Sequence, residues 1–292
     1  MIGYLFLAIS ALSGTTKGYC GKRVSEYVKS LKGTVFVNLT RMFLCIIVGF
    51  FTVFSQSNAS FKIDLSTALI TLLSGLSTAV FVILWITSLR SGAYVMLDVF
   101  IMLGVGVTIA LCNIFFKEEI CFNQLAGFVL LIISASMMCS YSTSVKGRLS
   151  LKNIILLTGI GLSNGLTDFS QKLFVYNSPR TPASVFSFYT YVFAFLIFVF
   201  FYLTFNHKEE NDGKQKRVIL YVVVMSVCLF LNSYFKTLAA VYISSATLYP
   251  LSTGISLILS LLMASFIFKE KVTPKCIFSA ILAFVSLVII NL

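Results

Sequence analysis

The chain has 292 residues, of which 58% are hydrophobic and only 11% charged, with a mean hydropathy of +0.97 and a formal net charge of +12. Soluble domains carry about a quarter charged residues, so this composition excludes that class and points to an all-α polytopic membrane protein. The basic residues sit mainly in short connectors between apolar runs, where the positive-inside rule and anionic head groups favour them; this placement argues against a nucleic-acid partner.

Apolar windows of roughly 18–25 residues, the length that crosses hydrocarbon, recur along the whole chain. They predict about ten transmembrane helices, near 2–20, 33–54, 68–89, 92–116, 121–141, 152–172, 182–205, 218–236, 239–268 and 274–292. The first window has no basic n-region and no small-residue cleavage site, and reads as a retained span. The ninth is longer than a span needs, which a tilt or a break at Pro250 would accommodate. Before the tenth, Thr273-Pro274 suits a helix start: a hydroxyl cap, then a ring whose missing N–H costs nothing in the first turn. The most polar connector, NHKEENDGKQKR at 206–217, reads as a solvated loop.

The chain repeats itself. FFKEEI (115–120) and IFKEKV (267–272) each close a long apolar run and precede another. With these knots superposed, Gly104, Thr108 and Cys112 fall on Ser256, Ser260 and Ala264, small residues at four-residue intervals that let helices approach closely. Nearer the start of each half, Ala11 and Thr15 fall on Gly161 and Gly165, and Lys22 on Lys172. The reading is two five-helix repeats in tandem, 1–145 and 146–292, forming one integral membrane domain. An odd number of spans per half forces the second copy to enter the bilayer from the opposite side. The halves are therefore expected to be inverted repeats around a site near the midplane.

Ten spans, two five-span halves and a Glu after the fourth and ninth spans resemble the drug/metabolite transporter superfamily, specifically its EamA-like branch. The resemblance covers essentially the whole chain. Its most specific elements are FKEEI, FKEKV and the stretch LAAVYISSATLYPLSTGISLILS, similar to the family's Pro-containing ninth span. Where the family has Gly before the knot Glu, this chain has Lys117 and Lys269, and where the family's first span has Trp-Gly it has Ser13-Gly14. The resemblance implies transport of a small organic molecule across the cell membrane.

Several residues stand out as substrate-binding or coupling candidates. Asp98 lies inside the fourth span with no charged residue within a turn, where a carboxylate is expensive unless protonated, paired or facing water. It is the candidate for proton coupling or cation binding; a structural ion pair or a place at the head-group boundary is the alternative. Asp168 and Lys17 lie in the matched sixth and first spans, on ends that inversion places at opposite faces, so they are not expected to pair. For Lys17 the favoured reading is snorkelling to the interface; for Asp168 the alternative to a site role is local capping or pairing with Lys172. Ser13, Thr16 and Asn164 add polar groups to the first and sixth spans, and Asn232, Tyr234 and Lys236 cluster at the end of the eighth. Such groups bind substrate or hydrogen-bond between helices. Trp85, the only tryptophan, either faces a cavity or packs in the core, and Tyr249-Pro250 interrupts a helix ladder beside a cavity or a neighbouring hydroxyl. Glu118 and Glu270 are read as scaffold.

The sequence carries no HExxH or GxSxG motif and no paired intramembrane aspartates, and its one histidine, His207, lies in a loop. No catalytic or metal residues and no cofactor are assigned, and an enzyme is not expected. The seven scattered cysteines (Cys20, Cys45, Cys112, Cys121, Cys139, Cys228, Cys276) read as small hydrophobes. Without a Walker A motif, ATP drive would need a partner. The expected function is thus a secondary transporter of a small organic metabolite (an amino acid, a drug-like compound or a relative), working by alternating access, with protons as the candidate coupling ion. An uncoupled facilitator or sugar-type permease of the same fold is the alternative, and a non-transporting membrane protein a further one. The chain is expected to act as a monomer in the cell membrane. Connectors after odd-numbered spans hold about 15 Lys and Arg against about 5 in the others, which puts both termini outside; the family resemblance implies termini inside.

Overall fold

The computed structural model describes residues 1–56, 60–91, 94–117, 121–146, 151–204, 213, 215–269 and 274–291. Among them lie ten α-helices and no strand: α1 (Ile2–Tyr27), α2 (Leu31–Phe54), α3 (Leu65–Ser91), α4 (Tyr94–Phe116), α5 (Phe122–Lys146), α6 (Leu151–Asn177), α7 (Ala183–Thr204), α8 (Lys216–Tyr242), α9 (Ser245–Phe266) and α10 (Pro274–Asn291). Six are long and apolar enough to cross a membrane: α2, α3, α4, α7, α8 and α9. Shorter apolar stretches, Leu125–Ser134 and Ile277–Ile290, lie in α5 and α10. The two helices left over, α1 and α6, contribute Lys17, Asn164 and Asp168 to the interior site described below.

The ninth window divides differently from the expectation. Its first residues belong to α8, which runs on to Tyr242, and the break falls at Ile243-Ser244. Pro250 sits inside α9 and does not end it. Its missing N–H deprives only the Ala246 carbonyl, within the first turns, of an intrahelical donor. Because α8 is longer than expected, Lys236 lies inside the helix and not at its end. The knot glutamates Glu118 and Glu270, the Thr273 cap and His207 lie outside the described residues.

The outside of the molecule is apolar and much of the inside is polar. Phe50, Phe51, Phe54, Phe200, Leu203 and Phe266 are exposed, while Ser10, Thr34, Asn38, Arg41, Thr108, Asp168 and Ser226 are buried. In lipid this arrangement is stable, because the exterior needs no water and interior hydroxyls can bond to neighbouring backbone. Small residues set the closest approaches. At the α4–α6 crossing, a Cβ on Gly161 would meet the Phe100 carbonyl at 2.6 Å, and one on Gly165 would meet the Gly104 carbonyl at 2.5 Å. Thr108 Oγ1 donates to the Gly165 carbonyl across the same crossing, at 3.1 Å. Two of the stripes noted in the sequence thus pack on each other.

The helix pairings map onto themselves when each helix is exchanged for the one five places along. α1 packs on α8 as α6 does on α3; α4 on α6 as α9 on α1; α2 on α8 as α7 on α3; α4 on α5 as α9 on α10. α2–α7, α4–α9 and α5–α10 pair with themselves under this exchange. α1 and α8 run antiparallel, Gly3 beside Tyr242 and Gly14 beside Asn232, and α3 and α6 do the same, with Thr67 bonded to Ser178 and Leu84 beside Gly159. On the α5–α10 seam, Ser134 Oγ donates to the Ser279 carbonyl and Ser279 Oγ to the Ser134 carbonyl, both at 2.8 Å.

Both knots also share a backbone feature. Lys117 has φ +55° and Lys269 has φ +48°, and among the described residues they are the only non-glycine positions with positive φ. Each chain reversal after α4 and α9 needs a left-handed residue, which explains why the EamA-like pattern prefers Gly there. A left-handed conformation costs an L-residue roughly 1–2 kcal/mol, against roughly 0.5–1 kcal/mol for the extra chain entropy of Gly. Lys117→Gly and Lys269→Gly are each expected to stabilise the protein by about 0.5–1 kcal/mol relative to the alanine variants. Thermal unfolding in detergent measures this; Gly variants melting below the Ala variants would contradict it.

The start of α3 is capped by Asp64, whose Oδ2 accepts from Ser66 Oγ at 2.5 Å and whose Oδ1 accepts from the Thr67 amide at 3.4 Å. These bonds, that of Ser66 foremost and then those of Thr67, hold the exposed Asp64 carboxyl below its ordinary range. A lowered folded-state value means that the cap contributes fully above the unfolded carboxyl pKa and is lost as pH falls through the folded one. Asp64→Ala is therefore expected to melt lower than the parent at neutral pH, with the gap closing in acid.

Candidate functional site

Midway along the bundle, α1, α3, α4, α6, α8 and α9 surround a cavity with about 80 Å³ of room for water centres, enough for on the order of five waters. Its wall combines charge (Lys17, Asp98, Lys236), amides (Asn164, Asn232), hydroxyls of α9 (Ser252, Thr253, Ser256) and the rings of Phe81 and Trp85. Glycines explain why the rings fit. Gly14 and Gly18 leave α1 without bulk on this face, and the indole of Trp85 occupies the place a Cβ on Gly21 would need.

Beside the cavity lies a buried ion pair. Lys236 Nζ of α8 donates to Asp168 Oδ1 of α6 at 2.9 Å, with the Asp168 side chain 2% exposed and that of Lys236 10%. Asn164 Nδ2 donates to the other carboxylate oxygen at 3.3 Å, and Tyr249 Oη of α9 donates to the Asp168 backbone carbonyl at 2.7 Å. Three helices thus meet at one aspartate. It bonds neither Lys172 nor the local backbone, as the alternative reading had it, because α8 brings a cation into the same low-dielectric interior.

Lys17 does not snorkel. It points inward, its Nζ 5.8 Å from the Phe81 ring centroid and 5.9 Å from that of Trp85, a cation–π arrangement favoured in a dry surrounding. Asp98 faces it across the cavity, with Ser260 of α9 alongside the carboxylate. Among the described residues, neither Lys17 nor Asp98 has an oppositely charged partner within 4.0 Å.

The sequence candidates therefore divide. Asp98, Trp85, Asn164 and Asn232 line the cavity. Asn232 is also tied down, donating to the Ser10 carbonyl while Ser10 Oγ donates back to the Asn232 carbonyl, each at 2.8 Å. Asp168 and Tyr249 stand directly behind the wall, in the ion-pair cluster. Ser13 is buried next to cavity-lining Gly14 without lining the cavity itself. Thr16 is exposed and its hydroxyl bonds back to the Leu12 carbonyl at 3.0 Å, so the helix turn directs it outward. Tyr234 also points elsewhere, accepting from Gln56 Nε2 at 3.2 Å on the α2 side of α8.

Phe81, Ser252 and Thr253 of the wall escaped the sequence reading, and so did one charged residue behind it. Arg41 of α2 is fully buried behind Trp85, its guanidinium carbon 5.9 Å from the indole centroid. The signal was present: a cation in the middle of the apolar run 33–54 is as expensive as Asp98 in its own.

Aromatic contacts stand at both ends of the bundle. Toward the α1–α2 connector, Tyr19 stacks on Phe268 at 5.7 Å, with the Arg23 guanidinium over both rings. Toward the opposite end, Phe116 packs on Tyr176 at 4.7 Å and on Phe169 at 6.1 Å. Phe268 and Phe116 are the matched phenylalanines of the two knots.

Removing one partner of a buried pair leaves an uncompensated charge, at a cost of about 3–5 kcal/mol. Lys236→Met and Asp168→Asn are each expected to destabilise by that order, and the double variant to recover most of the loss. Unfolding of the three variants in detergent tests this; additive losses would show that the charges are not coupled.

Residues 151–292 match the EamA-like transporter family. A solved crystal structure of a protein superposes with a TM-score of 0.67, covering 98% of this chain and 95% of that one at 10% identity, a likeness of fold alone. No curated protein matches the sequence. The family match over the second half, together with the long apolar helices, identifies an integral membrane protein with a transporter-family domain.

Proposed function

We propose that the chain is a secondary transporter that moves a small organic metabolite across the cell membrane by alternating access. In this reading all ten helices are spans, arranged as inverted halves 1–145 and 146–292, and the monomer holds a complete site. The self-matching helix pairings, the reciprocal Ser134–Ser279 bonds and the paired left-handed lysines support the inverted repeat.

One observation carries the mechanism. The α4–α6 crossing is closed backbone to backbone at Gly104, Gly161 and Gly165, whereas α9 and α1, though they pack on each other, leave Ser256 and Thr15 on the cavity wall. Two faces of like sequence pattern thus take different arrangements within one molecule. A transporter of this kind exchanges them: α1–α9 closes as α4–α6 parts, and the site passes from one side to the other. The contacts Tyr19–Phe268 and Phe116–Tyr176 then act as the latches of the two mouths. The excess of basic residues in the connectors after odd-numbered spans supports placing the Tyr19–Phe268 end in the cytoplasm and both termini outside.

Asp98 is the coupling residue in this account. It is the one cavity carboxylate without a close cation among the described residues, and it faces the α9 hydroxyls that must move. Asp98→Asn in proteoliposomes is expected to abolish accumulation driven by a pH gradient while leaving gradient-independent exchange. Uptake is read over a panel of amino acids, sugars and amphipathic drugs. Undiminished pH-driven accumulation in the variant would remove Asp98 from the mechanism, and parent flux indifferent to the gradient would favour an uncoupled facilitator.

A further inference from the structure

Charge in the centre of the bundle does not balance. Among the described residues, the interior holds Lys17, Arg41 and Lys236 against two carboxylates, Asp98 and Asp168, and Asp168 is already engaged with Lys236. Lys17 and Arg41 remain against a single carboxylate, an excess of one positive charge in an apolar slab.

Arg41 shows where the excess is felt. The residue is 0% exposed, yet its Nε and Nη2 hydrogens have no acceptor; only Nη1 is used, donating to Asn38 Oδ1 at 2.8 Å. The ionisable groups around it, Cys45, Tyr191 and Cys20, offer no carboxylate. A guanidinium presents its donors in a planar fork matched to two oxygens of a carboxylate or phosphate, and here two of its three nitrogens are idle. Arg41 and Lys17 approach the same indole, each 5.9 Å from its centroid. Trp85 is thus the partition between the cavity, which Lys17 lines, and the unfilled guanidinium behind it. Phe81 stacks on that indole at 6.5 Å and offers an apolar surface beside the two cations.

We propose that the site takes a small organic anion, an oxyanion carried on an apolar or aromatic body, whose charged oxygens are held by Lys17 and by Arg41 once the Trp85 ring turns aside, with the body against Phe81 and Trp85. The inference rests on reading the cavity as the transport site and adds the charge class of the cargo. It explains why a chain that must insert in lipid keeps a buried cation with two unused guanidinium nitrogens and no carboxylate beside it: the ligand supplies the anion.

Trp85 is the only tryptophan of the chain, so its fluorescence reports binding without any flux. The full chain in detergent is titrated with benzoate, phenyl phosphate, benzamide, benzylamine and phenylalanine. Saturable change is expected with an anion, with benzamide, benzylamine and phenylalanine at least about tenfold weaker, since they lack net negative charge. The stronger of benzoate and phenyl phosphate tells which oxyanion the site prefers. Arg41→Gln and Lys17→Gln are each expected to weaken the anion about tenfold or more, and Arg41→Lys to retain part of the affinity. Ligand-free melting of Arg41→Gln, expected at or above that of the parent because an unpaired buried charge has gone, separates lost binding from lost folding. Equal or tighter response to the neutral, cationic or zwitterionic probe, or unaltered anion affinity in both glutamine variants, would overturn the proposal. Anion binding without flux would leave it standing and remove the transporter reading; flux of neutral or cationic compounds without anion binding would do the reverse.

Discussion

The ion pair between Lys236 and Asp168 is the interaction on which the centre of this molecule depends. Either charge alone in the bundle interior would be strongly destabilising, and together they fix α6 against α8. Tyr249 adds α9 by holding the Asp168 backbone, and Asn164 orients the carboxylate. With that cluster in place, the cavity beside it has a rigid rear wall. Its remaining charges, Lys17 and Asp98, are then free to interact with whatever enters. The two aspartates thus do different work because one has a cation within hydrogen-bond reach and the other does not.

Around this cluster the fold is organised by repetition. Small residues let α4 and α6 touch along their backbones, whereas the corresponding residues on α9 and α1, Ser256, Ala11 and Thr15, carry Cβ atoms and hold those helices further apart. Where α1 and α9 face each other, Thr15 and Ser256 stand on the cavity wall instead. In the function proposed above, two inverted halves would have two equivalent ways to be unequal, and switching between them would move the site from one side to the other. The chain leaves α4 and α9 through a left-handed lysine, Lys117 or Lys269, beside Phe116 and Phe268.

Much of this was legible from the residues. Ten helices follow from ten apolar windows because hydrocarbon thickness sets a length that few other structures share. The small-residue stripes Gly104-Thr108 and Gly161-Gly165, which pack on each other, were readable because close approach tolerates little else. Asp98 was conspicuous as a lone charge in an oily run. Other features were not legible, for definable reasons. Pro250 suggested a break, but α9 continues through it with the Ala246 carbonyl left without its intrahelical donor, and the chain breaks at Ile243-Ser244 instead. Thr16 and Tyr234 were plausible by type, yet which face of a helix meets the cavity is decided by tertiary packing. Lys17 reads as a snorkelling residue in isolation, and only the rings of Phe81 and Trp85 on α3 show why it turns inward. The partner of Asp168 lies 68 residues away, beyond the reach of any local rule.

The most direct test is solvent access to the cavity from each side in turn. A single cysteine at Ser256, in a chain otherwise freed of cysteine, is treated with a membrane-impermeant thiol reagent applied to one face or the other of oriented vesicles. The account predicts labelling from both faces, and loss of labelling from one face only when a second chain version has positions 19 and 268 cross-linked. Labelling that stays confined to a single face under all conditions, or that the cross-link leaves untouched on both, would contradict a site served alternately by two mouths.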